Sequence, residues 1–497
     1  MSLLDRVASL ARKAKADFEG SPKEVDLDLI LARIDEPLRV AIAGRVKAGK
    51  STLLNALVGE ELAPTDAGEC TKVVTWYRDG LTYRVTLEPT DGPNLETRFD
   101  RDGGALNIDL AGNTPGDLNR ILVEWPSSAL RELTLIDTPG IGSISADISS
   151  RTEGFLTPDA EHPTSADAVL YLLRHLHGSD IRFLEAFHDD EASQATPINA
   201  IGVLSRADEV GVGRLDAMNS ARRIAARYRV DPKLRRLCQT VVPVAGLLAQ
   251  AGVSLTEAEF RGLASLASEP ADLIDPLLVA VDRLTSEDVT VRLLPIERRA
   301  LLERFGLFGV RLAIDLVRRG TVDSSKALSN EFRAASGLDE LRMVLETQFA
   351  GRRDILKARS ALLALDAVTV GDSSPAAQNL STEIEKIESL AHEFAEMRLL
   401  NLLRTGGVSL RAADLPEAER LLGSEGQSIP DRLARQSGEP GMKEVALEAL
   451  AKWQRRAEDR MAPKDQTDAA RVIVRSCEGI VQTLSMQPEP GPGATSL

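Results

Sequence analysis

The stretch Gly44–Ser51, which reads G-R-V-K-A-G-K-S, constrains this chain more than any other because it fits the phosphate-loop pattern G-x-x-x-x-G-K-[S/T]. The apolar run before it, Pro37–Ala43, is typical of a buried strand, and Thr52–Val58 predicts the first turns of a helix. A glycine-rich turn between strand and helix directs backbone N–H groups and the positive end of a helix dipole at one point, which favours phosphate oxygens. The sequence therefore predicts a nucleotide site here; an ordinary glycine turn is the alternative.

Two side chains of this loop have distinct predicted roles. Lys50 can reach the outer phosphates, and the hydroxyl of Ser51 can ligate Mg²⁺. The residues of this stretch that are predicted to bind the nucleotide are Gly44, Val46, Lys47, Ala48, Gly49, Lys50, Ser51 and Thr52.

A second motif, D-T-P-G at Asp137–Gly140, directly follows the apolar run Leu133–Ile136. A carboxylate at the end of that strand can hold Mg²⁺ through water, and the N–H of Gly140 can meet a γ-phosphate and be released after hydrolysis. A plain Pro-Gly turn is the alternative interpretation. The distance from the phosphate loop and the strand before the motif both favour the nucleotide interpretation.

The predicted Mg²⁺ ligands are Ser51, Asp137 and a threonine from the segment A-P-T-D-A-G-E-C-T-K, which follows the first helix of the nucleotide site. A threonine there can contact the metal and shield the γ-phosphate. Thr65 and Thr71 both qualify, and Thr71 is preferred because a strand pattern begins directly after it.

The motif that would read the base is S-R-A-D at Ser205–Asp208, in the place where GTPases typically carry [N/T]-K-x-D. Asp208 can accept hydrogen bonds from the N1 and N2 donors of guanine, a contact that adenine cannot match. Arg206 replaces the usual lysine, and its flat guanidinium can cover the base, while Ser205 keeps a hydroxyl. Surface charges at Arg206 and Asp208 are the alternative. Backbone N–H groups of Ala245 and Gly246, after the last strand pattern, are weaker candidates for contact with guanine O6.

The chain of 497 residues has a formal net charge of −15, which argues against broad nucleic-acid binding because that binding depends on phosphate neutralisation. Hydrophobic residues make up 43% and aromatic residues only 4%, which favours helices packed through aliphatic side chains over an all-β fold. The cysteines Cys70, Cys238 and Cys477 form no C-x-x-C pair, so we expect a reducing compartment. No run approaches the ~20 apolar residues that a membrane-spanning helix needs.

Strand patterns between about residues 38 and 244 alternate with helical stretches, which predicts an α/β fold with a mostly parallel sheet wrapped by helices. The stretch 90–115 is rich in glycine and aspartate and is interpreted as turns and an insertion. Helical patterns fill residues 1–35 and most of the chain after 252, so we expect both chain ends to pack together in an all-α stalk under the nucleotide domain. The predicted divisions are 1–35, 36–252, 253–337, 338–487 and 488–497.

Within the helical half, Leu338–Thr369 has the periodicity of one long helix, and Gln378–Leu403 predicts a second helix that folds back after the break at Gly371–Pro375. This break and the next one, Arg404–Ala412, are both candidates for a lipid-contacting tip. Arg404–Ala412 combines arginines and glycines with preceding leucines, whereas Gly371–Pro375 is acidic and polar, a poorer match to lipid, but topologically well placed. Simple interhelix loops are the alternative for both. The basic cluster at residues 352–359 is interpreted as a solvated helix face.

This combination of motifs resembles the dynamin family, specifically the bacterial dynamin-like proteins, and is most similar to the shorter type of the actinobacterial isoniazid-inducible dynamin-like GTPases. The resemblance implies a GTPase head, a helical neck, a helical trunk whose tip meets lipid, GTP-dependent dimerisation and membrane remodelling. It also implies that the five predicted divisions are, in chain order, N-terminal helices joining the neck, a dynamin-type GTPase domain, neck helices, a helical trunk and a disordered tail. Lys47 stands where eukaryotic dynamins have a serine, Gly68 where some relatives have a threonine, and Arg206 where the base motif has a lysine. The residues that carry the resemblance are the phosphate loop with its helix, P-T-D-A-G-E-C-T-K-V-V-T-W, D-T-P-G, S-R-A-D-E, L-L-E-R-F-G-L-F-G-V-R-L-A-I and F-A-G-R-R-D-I-L-K-A-R-S-A-L-L-A-L.

GTP, GDP and Mg²⁺ are therefore the expected ligands, and hydrolysis is expected to proceed by attack of water on the γ-phosphate. No obvious glutamine follows D-T-P-G to orient that water, so a backbone group or a group supplied across a dimer must do so. Lys47 is hypothesised to supply positive charge at the β/γ bridge. The predicted catalytic residues are Lys47, Lys50, Ser51, Thr71 and Gly140.

The expected partners are a second copy or higher oligomer, a paralogous dynamin-like protein, and anionic lipid. The expected location is the cytoplasm, peripheral on the inner face of a bacterial cell membrane. The competing hypothesis is a soluble regulatory or scaffold GTPase whose helical half binds a protein and no lipid.

Overall fold

The computed structural model of the chain describes residues 2–64, 73–102, 105–139, 166–174, 181, 184, 199–289, 291–436 and 441–486. Within these ranges, a nine-stranded sheet forms the centre of the first half of the chain, accompanied by a two-stranded hairpin. The strands are β1 (Leu38–Gly44), β2 (Thr75–Arg78), β3 (Arg84–Pro89), β4 (Leu95–Thr97), β5 (Phe99–Asp102), β6 (Ala105–Ile108), β7 (Leu118–Glu124), β8 (Leu133–Asp137), β9 (Ala168–Leu173), β10 (Ala200–Ser205) and β11 (Val241–Val244).

The large sheet has the order β11-β10-β9-β1-β8-β2-β7-β3-β4, and the hairpin pairs β5 with β6. β1 runs parallel to β8 and β9, β10 runs parallel to β9 and β11, and β2 runs parallel to β7. The pairs β2/β8, β3/β4 and β3/β7 are antiparallel. The prediction of a mostly parallel sheet is therefore confirmed. Parallel strands need crossover connections that cover both faces, and every residue of β9 and β10 is buried.

Each apolar run that the sequence marks as a strand overlaps an observed strand, but the interpretation of residues 90–115 as turns is wrong for β4, β5 and β6. These strands are three or four residues long and lie between glycine- and aspartate-rich turns, so no alternation extends far enough to be recognised. Leu106 and Ile108 are buried and join this part of the chain to the core.

The helices of the described ranges follow from amphipathic spacing and caps, as α1 illustrates: Leu3, Val7 and Leu10 face inward and the N–H of Asp5 donates to Ser2 Oγ at 3.1 Å. The helices are α1 (Leu3–Asp17), α2 (Lys23–Asp35), α3 (Lys50–Val58), α4 (Ala217–Val230), α5 (Gly246–Ser254), α6 (Glu257–Ala267), α7 (Ala271–Ile274), α8 (Val281–Leu284), α9 (Pro295–Arg318), α10 (Ser325–Ser336), α11 (Leu338–Gln348), α12 (Arg353–Thr369), α13 (Pro375–Leu390), α14 (His392–Thr405), α15 (Leu415–Leu421), α16 (Ile429–Leu433), α17 (Met442–Ala457) and α18 (Lys464–Met486). None of these helices is both long and apolar enough to cross a bilayer.

The two faces of the sheet belong to two different hydrophobic cores. Ala41 and Tyr171 face a core that contains α4, α6, α9 and α10, whereas Ile42 and Leu172 face the opposite way, because side chains alternate along a strand. That second core is continuous from α3 through α1 and α2 to the helices that follow Gly337. The predicted divisions of the chain at residues 36, 253 and 338 stay predictions.

The first two helices lie beside the C-terminal helices, as the sequence suggested. α1 and α2 pack on α12, and α1 also packs on α13. At the far end of these helices, Lys23 pairs with Asp372 at 2.7 Å. At the near end, where α2 leads into β1, Arg33 pairs with the buried Asp167 at 2.9 Å. The N-terminal helices are therefore anchored both to the sheet and to the turn between α12 and α13.

The prediction of one helix over Leu338–Thr369 is wrong, because the chain breaks at a short 3₁₀ turn, Ala350–Arg352, between α11 and α12. The prediction of one helix over Gln378–Leu403 is also wrong, since Ala391 has extended backbone angles between α13 and α14. The predicted hairpin between α12 and α13 is confirmed. The interpretation of residues 352–359 as a solvated face is wrong for Arg352 and Lys357, which are 2% and 3% exposed. Arg352 donates to the carbonyl of Gly423, and Lys357 donates to the carbonyl of Glu36.

The candidate lipid tip at Arg404–Ala412 is not a tip. The end of α14 packs against the 3₁₀ turn Leu234–Arg236 beside the sheet, and Leu400, Leu403 and Val408 are buried. Leu399, Leu400 and Leu403 precede the glycines as expected, but they are buried in the helical half. Of the leucines in this stretch, Leu402 is the exposed one, at 37%. The sequence pattern alone does not distinguish a hydrophobic core from a lipid-facing surface.

Candidate functional site

The phosphate loop occupies the connection between β1 and α3, at the carboxyl end of an interior strand of the sheet. Gly44 and Gly49 have φ angles of 148° and 94°, and Lys47 between them also has a positive φ of 61°. The loop is closed by the N–H of Ala48, which donates to the carbonyl of Arg45 at 3.1 Å. The first turn of α3 therefore directs its unpaired backbone N–H groups toward the space above the sheet, where an anion is favoured.

Ser51, Asp137 and Lys50 form one polar group at this loop. The hydroxyl of Ser51 donates to Oδ2 of Asp137 at 2.9 Å. Burial raises the pKa of Asp137, and the Lys50 charge and the Ser51 hydrogen bond oppose this rise. Burial lowers the pKa of Lys50, and the Asp137 charge opposes that fall. The positive charge of Lys50 and the negative charge of Asp137 therefore stabilise each other in a site largely closed to water.

This arrangement fits a magnesium ion. Oδ1 of Asp137 is buried and has no hydrogen-bond partner among the described residues. A buried carboxylate oxygen without a donor is costly unless a metal, a metal-bound water or another donor occupies the adjacent space. The Ser51 hydroxyl lies on the same carboxylate, so the two predicted ligands are brought together.

The base motif follows β10 on the same edge of the sheet. Ser205 is buried, with Oγ 3.4 Å from the carbonyl of Leu173. Arg206 takes a positive φ of 52° and donates through Nη2 to the carbonyl of Lys47 at 2.9 Å. It also pairs with Glu209 at 2.9 Å. Arg206 therefore connects the base motif directly to the phosphate loop.

Asp208 is 8% exposed, and burial raises its pKa to about 6. The neighbouring charge of Glu209 contributes to this rise in pKa, while the charges of Arg206 and Arg174 act in the opposite direction. Asp208 lies in one pocket with residues of the phosphate loop. The pocket is lined by Ala48, Gly49, Thr52, Leu53, Leu172, Val203, Ser205, Arg206, Asp208, Glu209, Val244, Gly246 and Leu247.

The loop after β11 reaches the same pocket. The N–H of Ala245 donates to the carbonyl of Ser336 at 2.9 Å, so this loop is fixed from outside by the end of α10. A methyl group built on Gly246 would lie 3.3 Å from Cγ2 of Thr52. Gly246 therefore contacts the phosphate-loop helix, and its neighbour Ala245 is buried.

The predicted Thr71 and Gly140, and the alternative Thr65, lie outside the described residues, so their roles stay predictions. The chain leading to that segment is fixed by the buried Asn55 of α3. Its side-chain oxygen accepts from the N–H groups of Leu62 and Ala63 at 2.9 Å and 2.7 Å, and its amide donates to the carbonyl of Ala63 at 2.9 Å.

Several residues of the pocket region were not singled out from the sequence, among them Glu209, Arg174 and Leu247. Glu209 pairs with Arg206 and with Arg174, which follows β9. The signal for Glu209 is present, because it directly follows Asp208 and stands three residues after Arg206. Leu247 lines the pocket from α5, and Arg174 comes from another strand; neither has a local sequence signal.

A phosphate loop at the end of an interior parallel strand, a serine–aspartate pair beside it and a buried carboxylate in the adjoining pocket define a nucleotide-binding protein of the phosphate-loop class. Comparison with known proteins narrows this class. The model of the Dynamin family matches residues 40–177. The isoniazid-induced protein IniC of Mycobacterium tuberculosis is 38% identical over 496 residues, which cover 98% of this chain and 99% of IniC. The chain therefore belongs to the dynamin family of GTPases, enzymes that hydrolyse GTP.

More distant relatives match parts of the chain. The isoniazid-induced protein IniA of M. tuberculosis is 30% identical over 46% of this chain and 34% of IniA. The bacterial dynamin-like protein of Nostoc punctiforme is 30% identical over 34% of this chain and 26% of that protein. Among solved structures, an oligomerised bacterial dynamin pair described as sensing and tethering membranes is 11% identical with a TM-score of 0.31, covering 98% of this chain and 75% of that one. The resemblance to bacterial dynamin-like proteins is confirmed.

Proposed function

We propose that the chain binds GTP with Mg²⁺ at this site, hydrolyses it to GDP and phosphate, and does so within a dimer or larger assembly. The observation that carries the proposal is that Asp208 and the backbone of the phosphate loop line the same pocket. A nucleotide with its phosphates on the loop places its base against Asp208, where guanine offers two donors and adenine does not.

In the proposed reaction, different residues of the site bind the phosphates, the base and the metal ion. Lys50 and the N–H groups of the loop stabilise negative charge on the outer phosphates. Arg206, which donates to the Lys47 carbonyl, covers the base and holds the loop at a fixed distance from the base motif. Lys47 is exposed and free to approach the β/γ bridge. Mg²⁺ held by Ser51 and, through water, Asp137 would neutralise phosphate charge.

The proposed partners are a second copy or a paralogous dynamin-like protein, and the proposed location is the inner face of a bacterial membrane, with anionic lipid as the contact. Family membership supports this part of the proposal. A scaffold whose helical half binds a protein is the second candidate function. One observation favours it: the leucines expected to face lipid, Leu400 and Leu403, are buried in the helical half.

Phosphate release tests the enzymatic part of the proposal. We expect Lys50→Ala to abolish GTP turnover while circular dichroism shows an intact fold. Lys50 is the side chain predicted to bind the outer phosphates, and alanine removes its positive charge. Lys443→Ala on the exposed face of α17 is the matched control and should turn over GTP normally. Normal turnover by the Lys50 variant would contradict the proposal.

Flotation with vesicles of phosphatidylglycerol and phosphatidylcholine separates the two candidate functions. Binding that requires the anionic lipid and changes with GTP supports the membrane function. Absence of binding with GTP, GDP and no nucleotide, while turnover is normal, favours the scaffold. The assay uses the full chain because the first two helices pack on α12.

A further inference from the structure

The stretch L-L-E-R-F-G-L-F-G-V-R-L-A-I, residues 301–314, has no role in the site as described so far. It forms most of α9, which belongs to the part of the chain predicted as neck. The helix is kinked at Gly306, whose backbone angles of φ 64° and ψ 172° are non-helical. This conformation is essentially restricted to glycine, so the glycine at position 306 is what allows the helix to kink there.

The kink lies against the base motif. A methyl group built on Gly306 would be 3.5 Å from Oδ2 of Asp208 and 3.7 Å from Cδ1 of Leu247, both of which line the nucleotide pocket. The side chain that would read guanine is therefore covered by a helix almost 100 residues further along the chain. This cover contributes to the burial of Asp208.

Arg311, one and a half turns beyond the kink, fixes the loop that follows Asp208. Its guanidinium donates to the carbonyls of Val212, at 2.8 Å, and Gly213. The other side of the same guanidinium donates to the carbonyls of Leu278, at 2.7 Å, and Val279, at 3.1 Å. All four acceptors are main-chain oxygens, so Arg311 ties two backbone segments together with a planar fork of donors.

The loop held by Arg311 is strained. Val212 has a φ of 62°, which is unusual for a β-branched residue and costs of order 1–3 kcal/mol. Its side chain is 74% exposed, so packing of that side chain does not hold it in place. Two hydrogen bonds hold the Val212 backbone: its N–H donates to the carbonyl of Glu209 at 3.1 Å, and its carbonyl accepts from Arg311 at 2.8 Å. Of the two, only the bond from Arg311 connects this loop to α9.

We infer that Arg311 is a positioning residue for guanine recognition: by fixing the loop Glu209–Gly213 against α9, it aims the carboxylate of Asp208 at the N1 and N2 donors of the base. The inference rests on the proposed function, since it assumes that Asp208 reads guanine. A carboxylate must align with both donors at once, so a small rotation of Asp208 loses the second hydrogen bond first.

Nucleotide selectivity is the measurement that tests this inference. GDP offers both donors, IDP lacks the 2-amino group, and ADP serves as the baseline without either guanine contact. We expect Arg311→Ala to weaken GDP binding about tenfold and to bring the GDP and IDP affinities together, because Asp208 no longer gains from the 2-amino group. Affinities would be measured on the full chain by displacement of a fluorescent guanine nucleotide.

Arg318→Ala is the matched control. Arg318 lies on the same helix two turns further on and donates to the carbonyls of Ala267 and Glu269, but it makes no contact with the base loop. It should leave the ratio of IDP to GDP affinity unchanged. Arg311→Lys, with a single ammonium in place of the fork, should give an intermediate ratio, and it carries the test if Arg311→Ala does not fold.

An unchanged ratio of IDP to GDP affinity in the folded Arg311 variants would overturn the inference, even if both affinities fell equally, because an equal fall indicates a structural role. A wild-type chain without preference for GDP over ADP would overturn the proposed function and the inference with it. The two failures are thus distinguished by the wild-type measurement.

Discussion

Guanine binding should weaken at mildly acidic pH because of Asp208. An ordinary aspartate has a pKa near 3.8, but burial raises the pKa of Asp208 to about 6. Only the ionised carboxylate accepts two hydrogen bonds from guanine, and a protonated one presents a donor in their place. As pH falls through about 6, the fraction of free protein that is competent to bind therefore falls.

The size of the effect follows from the competition between the proton and the base. With a pKa of about 6, the apparent Kd for GDP is multiplied by 1 + 10^(6 − pH), which is roughly 1.1 at pH 7 and roughly 11 at pH 5. The affinity should thus fall about tenfold between these values, or about 1.4 kcal/mol. A carboxylate with an ordinary pKa would produce a change of less than about 10% over the same interval.

The assay is isothermal titration of the full chain with GDP at half-unit steps from pH 7.5 to 5. The terminal phosphate of GDP also titrates near pH 6, so the wild type is compared with Asp208→Asn, which keeps the phosphate titration but lacks the carboxylate. Arg206, Arg174 and Glu209 surround Asp208 and remain in both proteins. Parallel pH profiles for wild type and Asp208→Asn would refute the reasoning.

Two further predictions concern the attachment of the helical half to the head. Gly337→Ala should lower the free energy of unfolding, measured in urea, by about 3 kcal/mol or more. Gly337 has a φ of 81°, and a methyl group there would lie 2.1 Å from the carbonyl oxygen of Pro243. Gly20→Ala is the control, because Gly20 has a similar φ of 75° but nothing lies within 4 Å of the added methyl group. Leu400→Ser, at a residue 1% exposed, should lower the free energy of unfolding by about 3 kcal/mol and lower the Tm. Leu402→Ser, at a residue 37% exposed, should have little effect on either quantity. Equal Tm values for the two variants would contradict the placement of α14.

The sequence was sufficient for the parts of the site that lie on short contiguous motifs. Ser51 and Asp137 are 86 residues apart, yet each follows a strand pattern, and parallel strands bring their ends to one edge of the sheet. Asp208 was placed for the same reason. Local pattern, chemistry and fold class all indicated the same positions, which is why these residues lie close together; their binding roles stay predictions.

Residues whose surroundings depend on distant packing were beyond that reasoning. Arg352 and Lys357 have the spacing of a solvated helix face but are buried, because distant parts of the chain, at Gly423 and Glu36, pack over them and accept their hydrogen bonds. The leucines before Gly406 fit a membrane tip and a protein core equally well, and only the partner surface decides between them. In the sequence, Arg311 is indistinguishable from other arginines on an amphipathic helix. Its role follows only from the four main-chain carbonyls that accept its hydrogen bonds, and these lie in distant segments.

The position of α1 and α2 has a consequence for how the chain is made. The ion pair between Lys23 and Asp372 joins residues 349 positions apart, and the buried face of α1 packs on α12 and α13. During synthesis the first two helices emerge early, but their partners leave the ribosome only after roughly three quarters of the chain, at synthesis rates of about 5–20 residues per second. Until then α1, which carries the buried residues Leu3, Val7 and Leu10, can pack on α2 but not on α12 or α13. α1 and α2 are thus translated long before the helices against which they are finally buried.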